Sequence, residues 1–197
     1  MPDLPAQKPA TKRSSTLLFA KNFLKSPAML GSVVPSSPFL VNHMLSHVNW
    51  DRATVLVEYG PGVGTFTREI LKRMRPDAHL LAIELNADFV DYLHSNIHDP
   101  RLQVIHGSAA NVRETLATRG LTAADHIISS LPYRNMSGTL KRQILQESRR
   151  ALKPNGSMLL FQYTPILLPY LESSFSSVRL GFQLFNILPA LIFRCTP

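Results

Sequence analysis

Glu58, Gly60, Gly62, Gly64 and Glu84 are the residues whose types and spacing point most directly to ligand chemistry. An apolar run ends in Glu58, three glycines follow at alternate positions in "VEYGPGVG", and the helical pattern "TFTREILKRM" comes next. Glycine takes positive φ and lets a ligand approach the backbone, so a strand that stops on such a loop and resumes as a helix has the form of a phosphate or cofactor loop. A structural turn produces the same pattern. Glu84 sharpens the reading, because it ends the next aliphatic run about twenty residues further on, where a carboxylate accepts both ribose hydroxyls of an adenosine. The Gly-x-Gly-x-Gly spacing is not Gly-x-Gly-x-x-Gly, and no Gly-Lys-Ser/Thr follows, which disfavours a dinucleotide or a triphosphate.

The elements that must position these residues are legible as alternating patterns. Short aliphatic runs at 55–59, 79–84, 102–106, 126–130 and 157–163 read as strands, with helical stretches starting near Thr65, Asn86, Asn111 and Ser137 between them. That alternation is the sequence form of a parallel sheet with crossover helices. Asn111 with Glu114 has the spacing of a capping box, "KPNG" at 153–156 reads as a tight turn before the fifth strand, and "FQLFNILPALIFRC" holds two further strand-like runs around Pro189. The expected fold is therefore a doubly wound α/β domain with a hairpin-like end. Upstream, Ser37 and Pro38 suit the start of a helix over Phe39 to Val48, and an amphipathic helix is expected from Ser15 to Ser26, ended by Pro27.

The chain has 197 residues, 45% hydrophobic and 17% charged, which fits one compact domain burying roughly 70% of the surface exposed on unfolding. A formal charge of +8 favours a polyanionic partner, either nucleic acid or an anionic membrane. The single cysteine, Cys195, excludes an internal disulfide and suits a reducing cytosol. Lys8, Lys12 and Arg13 precede the apolar "TLLFA", but that core is too short for a signal peptide, and no apolar run approaches the ~18 residues of a membrane span. His43 with His47, and His94 with His98, are spaced to share helix faces without the adjacent glutamate of a zinc hydrolase, so no metal is assigned. A monomer is expected.

As an ordered set, these segments resemble class I S-adenosylmethionine-dependent methyltransferases: "VLVEYGPGVGTFT" their first motif, "LLAIELN" their acidic ribose motif, "VIHGSAANV" their adenine-binding turn and "IISSLPY" the motif after their fourth strand. The resemblance implies a Rossmann-like sheet of seven strands with the last antiparallel. It also implies S-adenosyl-L-methionine as cofactor and S-adenosyl-L-homocysteine as product. Glu58, Tyr59, Gly60, Pro61, Gly62 and Gly64 would surround the methionine part, Glu84 and Leu85 the ribose, Ser108 and Ala109 the adenine, with Ser129 beside them. One departure is that Gly107 is followed by Ser108 where the family often has aspartate.

"SSLPY" at 129–133 resembles the "NLPY"-type motif of amine and adenine N-methyltransferases, with Ser130 where asparagine is usual. Such a turn offers carbonyls and a polar side chain that hold a nitrogen in line with the methyl, while Tyr133, and Tyr163 with it, would face the cationic charge. The alternative is a loop with Tyr133 half buried. Ribosomal RNA adenine dimethyltransferases share these motifs and a "QNFL" element like "KNFL" at 21–24, but they carry a helical domain after the last strand, where this sequence ends at Pro197. Bacterial phospholipid N-methyltransferases are similar over more of the chain, through "SPAMLGSVVPSS" at 26–37 and "NILPALIF" at 186–193, with Leu188 in place of a proline. That resemblance implies methylation of phosphatidylethanolamine or a related aminolipid, in one round or in several toward phosphatidylcholine, by a cytoplasmic enzyme peripheral on the inner face of the cell membrane. Phe19, Phe23 and Leu24, flanked by Lys21 and Lys25, suit a helix in an anionic interface, each cation contributing roughly 1 kcal/mol; the same face packs equally well as core or as a lid. Residues 1–15 then form a basic arm, 16–53 a membrane or lid region and 54–197 the methyltransferase domain, with no stable nucleic acid partner. The other readings are an RNA adenine N6-methyltransferase and a non-catalytic cofactor-binding or membrane-binding module.

Overall fold

Strands β1 (Val55–Tyr59), β2 (His79–Glu84), β3 (Leu102–His106), β4 (Ala124–Ser129) and β5 (Leu152–Gln162) pair in parallel, and β7 (Ala190–Thr196) lies antiparallel between β5 and β6 (Ser177–Gln183). The order β3-β2-β1-β4-β5-β7-β6 makes a seven-stranded, doubly wound sheet, as the resemblance implies. This computed structural model describes residues 37–184, 186 and 188–197. The basic arm and the amphipathic helix with Phe19, Lys21, Phe23, Leu24 and Lys25 lie outside the described residues.

Every residue of β1 is buried, as in a strand covered on both faces. Alternation sends Val55, Val57 and Tyr59 to one side, where they join Val112 of α4 (Val112–Ala117), Ile144 of α5 (Gly138–Ala151) and Leu171 of α6 (Leu168–Ser174). Leu56 goes to the other side, with Leu40 and Met44 of α1 (Pro38–Leu45) and Phe66 and Ile70 of α2 (Thr65–Arg73). Helix α3 (Ala87–Asn96) rests on β2 and β3. Within the 16–53 region, Leu40, Met44 and Leu45 of α1 are fully buried in this core, while Phe39 stands exposed. Ser37 caps α1 as its sequence predicts, accepting from the Leu40 amide at 3.2 Å.

Three expectations from the pattern are corrected. The Asn111 side chain makes no cap bond. Instead Ser108 Oγ accepts from the Ala110 amide at 3.2 Å and starts a 3₁₀ turn at Ala109–Asn111 that leads into α4. "KPNG" is not a turn before β5 but an irregularity within it, because Ala124 pairs with Leu152 while His126 already pairs with Ser157. The sixth strand begins at Ser177 rather than in the "FQLFN" run, and β7 begins at Ala190. At the sheet end away from the glycine loop, Asp125 Oδ2 accepts from the amides of Thr54 and Val55 at 2.9 Å and its Oδ1 takes Lys153 Nζ at 2.8 Å, which ties β1, β4 and β5 together.

Candidate active site

The strand order reverses between β1 and β4, and open parallel sheets bind ligands outside the carboxyl ends of their strands at such a point. The glycine loop leaves β1 there and "SSLPY" leaves β4 beside it. The two loops touch: the Ser130 amide donates to the Tyr59 carbonyl at 2.9 Å, and a Cβ on Gly60 would lie 3.1 Å from Leu131 Cδ2.

Gly60, Gly62 and Gly64 have φ of 66°, 57° and 80°, the left-handed region that glycine enters without a Cβ penalty. Arg68 braces the loop, its Nη1 donating to the carbonyls of Val63 and Gly64 at 2.6 and 3.2 Å. Pro61, Gly62 and Gly64 are buried, and Gly60 is partly so. At Gly64 a Cβ would stand 2.5 Å from Ile97 Cδ1 and 3.0 Å from Leu93 Cδ2. Gly64→Ala therefore combines backbone strain of about 1–2 kcal/mol with a steric clash. We expect product-cofactor affinity, read by titration calorimetry, to fall about tenfold or more while far-UV circular dichroism stays unchanged.

Glu58 is fully buried on the same face as α2. Its Oε2 accepts from Thr67 Oγ1 at 2.7 Å, whereas its Oε1 has no hydrogen-bond partner among the described residues. Desolvation pushes its pKa up to about 8, partly opposed by the Thr67 hydroxyl and aided by the nearby charge of Glu84. A buried carboxylate oxygen with no donor is a place for a cation. Glu84, also buried, accepts from the Gly62 amide at 3.1 Å through Oε2 and from the Asn86 amide at 3.0 Å through Oε1. Desolvation raises its pKa too. Each oxygen keeps a lone pair for a hydroxyl donor. Leu85 beside it is 72% exposed, an apolar surface free for a purine, and Ser108 and Ala109 close the turn after β3.

The expected acceptor residues divide. Ser130 Oγ is buried without a hydrogen-bond partner among the described residues, at the junction of the two loops. Tyr163 is half-buried, edge-on to Phe161 at 5.9 Å, its hydroxyl receiving Asn186 Nδ2 at 3.4 Å. Two side chains are placed elsewhere. Tyr59 points into the core on the opposite face from Glu58, its hydroxyl 3.1 Å from Ser148 Oγ, so it serves the loop through its carbonyl alone. Tyr133 has no exposed surface; its ring packs in the same core and its hydroxyl lies 3.2 Å from Ser129 Oγ. The expectation that Tyr133 covers a cation is thereby corrected, because a ring fully enclosed by core side chains supports the turn instead of facing the cleft. Ser129, fully buried, is its partner, and it also receives the Leu131 amide at 3.4 Å.

Sequence reasoning missed Thr67, which holds Glu58, and Gln162, whose Nε2 donates to the Leu131 carbonyl at 3.1 Å and fixes the turn from β5. Thr67 sits nine positions after Glu58, three into the helix, a spacing that could have suggested the bond. No local signal marked Gln162.

The ribosomal RNA adenine dimethylase family matches residues 19–167 of this chain. The chain belongs to that family. It is an S-adenosyl-L-methionine-dependent methyltransferase, and the family's cofactor fits the residues present: an unpaired buried carboxylate oxygen, a positive-φ glycine loop and a second carboxylate with spare acceptor capacity. The chain is similar to the ornithine lipid N-methyltransferase of Singulisphaera acidiphila, 28% identical over 180 residues, covering 90% of this chain and 94% of that one. It is also similar to the ribosomal RNA small subunit methyltransferase A of Dehalococcoides mccartyi, 27% identical over 82% of this chain but 53% of the relative. The chain thus spans about half the length of that ribosomal relative. A TehB-like SAM-dependent methyltransferase from Corynebacterium glutamicum shares the fold at a TM-score of 0.62 and 13% identity, covering 94% of this chain and 100% of that one.

Proposed function

We propose that this enzyme methylates the amine of an aminolipid, phosphatidylethanolamine or an ornithine-type lipid, at a membrane surface. The observation that carries the reading is the similarity to a lipid N-methyltransferase along 94% of that relative's length. A charge of +8 suits an anionic bilayer. Leu180 and Phe182 share one face of edge strand β6 and, with Leu184 and Leu188 beyond its end, stand more than half exposed, an apolar rim suited to an interface. Among the described residues, no helix is long and apolar enough to cross a membrane.

When bound, the cofactor supplies an electrophilic methyl on a sulfonium. The chain's own residues do the rest. Glu58 Oε1 would receive the cofactor's ammonium, the glycine loop would let it approach and Glu84 would take the ribose hydroxyls. The acceptor ammonium must lose a proton to solvent water before it can attack, and burial at the junction of the two loops would lower an amine's pKa. Ser130 Oγ, lacking another partner, accepts an N–H of the neutral amine and turns its lone pair toward the methyl. Ser129, Tyr133 and Gln162 hold that turn still.

The ribosomal relatives favour a second reading, N6 methylation of adenine in RNA. A single mixture of labelled methyl donor, aminolipid vesicles and ribosomal RNA separates the two. Label in the lipid phase supports the proposal, and label confined to RNA overturns it.

A further inference from the structure

Asn186 lies between β6 and β7, and its side-chain amide joins separate parts of the chain. Its Oδ1 accepts from the Ser37 amide, at the start of α1, at 3.1 Å. Its Nδ2 donates to the Leu188 carbonyl at 2.9 Å and to the Tyr163 hydroxyl at 3.4 Å. The Ser37 N–H can only donate and the Leu188 carbonyl can only accept, so together they fix which end of the amide faces which way, and the Tyr163 oxygen receives an N–H.

Tyr163 directly follows β5 at its carboxyl end. Ser129 pairs with Leu160, and the bond from the Ser130 amide to the Tyr59 carbonyl carries the β1–β4 ladder one residue further. Alternation then puts Ser130 beside Phe161, on the face that Glu58 and Thr67 share, and Tyr163 about 7 Å further along the same face. Gln162, between them, reaches Leu131 on the other face. Phe161 stacks on Phe66 of α2 with ring centroids 6.2 Å apart, and Tyr163 stands edge-on to Phe161. Phe66 and Phe161 are buried, so Tyr163 is the ring of this group that keeps exposed surface.

We propose that Asn186 is a positioning residue for methyl transfer, holding the Tyr163 ring at the acceptor end of the cleft, where it faces the amine nitrogen. As the nitrogen lone pair forms its bond to the methyl carbon, the sulfur–carbon bond breaks and positive charge passes from sulfur to nitrogen. A ring face within about 6 Å stabilises that charge, provided the ring is held in place. The inference rests on the aminolipid reading, and it gives Tyr163 and Asn186 the role that the enclosed Tyr133 cannot fill.

Steady-state rates on phosphatidylethanolamine in mixed micelles, with calorimetry of the product cofactor, test it. Tyr163→Leu removes the ring and should lower kcat about tenfold, with KM changed less than about threefold and cofactor affinity less than about twofold. Tyr163→Phe and Asn186→Leu break the same bond from its two ends, and each should lower kcat about threefold. The double variant should be no slower than either alone, because one bond is lost once. Losses that multiply would mean that Asn186 acts only through Ser37 or Leu188, and would overturn the positioning role. A Tyr163→Phe enzyme with wild-type kcat overturns it too, and that variant carries the test alone if Asn186→Leu does not fold. A binding arm works without turnover: decyltrimethylammonium, a permanent cation used below its micelle concentration, should bind wild-type enzyme loaded with S-adenosyl-L-homocysteine. Its affinity should fall about tenfold in Tyr163→Leu and about threefold in Tyr163→Phe. Should wild-type enzyme label no lipid, the aminolipid reading fails, and this arm alone decides the inference. No binding by wild type, or equal affinity in Tyr163→Leu, removes Tyr163 and Asn186 from the site.

Discussion

Tyr133→Ala lowers stability by about 3–5 kcal/mol, because it removes a fully enclosed aromatic ring and leaves a cavity under the acceptor turn. Folded domains have only about 5–15 kcal/mol in total, so the melting temperature falls on the order of 10 °C. Tyr133→Phe separates packing from hydrogen bonding. It keeps the ring, removes the 3.2 Å contact with Ser129 Oγ and costs about 0.5–1.5 kcal/mol. Thermal melts with a product-cofactor titration check both. A Tyr133→Ala protein as stable as wild type but without turnover would mean that the ring faces the reacting atoms instead of the core.

Glu58→Gln should weaken cofactor binding by about 10- to 100-fold, the worth of a hydrogen bond to a charged group, while leaving the fold intact. The pH dependence follows from its titration. The carboxyl releases its proton near 4.5 when unfolded and near 8 when folded, so between those values the folded state binds the extra proton. Stability conferred by the neutral carboxyl is complete below about 4.5 and is lost as pH rises through about 8, at up to about 1.4 kcal/mol per unit. Glu84, raised in the same direction, adds to the slope. Binding a cation at Oε1 requires the ionised form, so cofactor affinity should rise from pH 6 to 8, with proton release seen as a buffer-dependent calorimetric enthalpy. Denaturant melts of Glu58→Gln should show the shallower slope, and an affinity that is unchanged and independent of pH would remove Glu58 from the site.

The bounds of β1 and β2 were legible because strands buried on both faces must be nearly continuous aliphatic runs. Strand β6 was not, because an edge strand with a half-exposed pattern and Gly181 in its middle gives no such run. Tyr59 and Glu58 are neighbours in the glycine motif, yet strand alternation puts them on opposite faces, and that period alone assigns Glu58 to the site and Tyr59 to the core. Tyr133 follows a proline turn, where no periodicity fixes the direction of a side chain, so its burial depended on Ser129, Cys195 and the helices that enclose it. Asn111 lost its cap to Ser108 because the chain tightens into a 3₁₀ turn first, which spacing did not reveal.

A glycine loop next to Glu58 that delivers a methyl group to a lipid amine presented at Ser130 must leave that methyl on the lipid. The measurement that bears on it most directly is mass spectrometry of headgroup fragments from aminolipid vesicles incubated with enzyme and methyl donor. A gain of one or more methyl groups on the headgroup nitrogen is expected, strongly reduced in Glu58→Gln. Unmodified headgroups, with methylated adenine recovered from RNA in the same mixture, would contradict it.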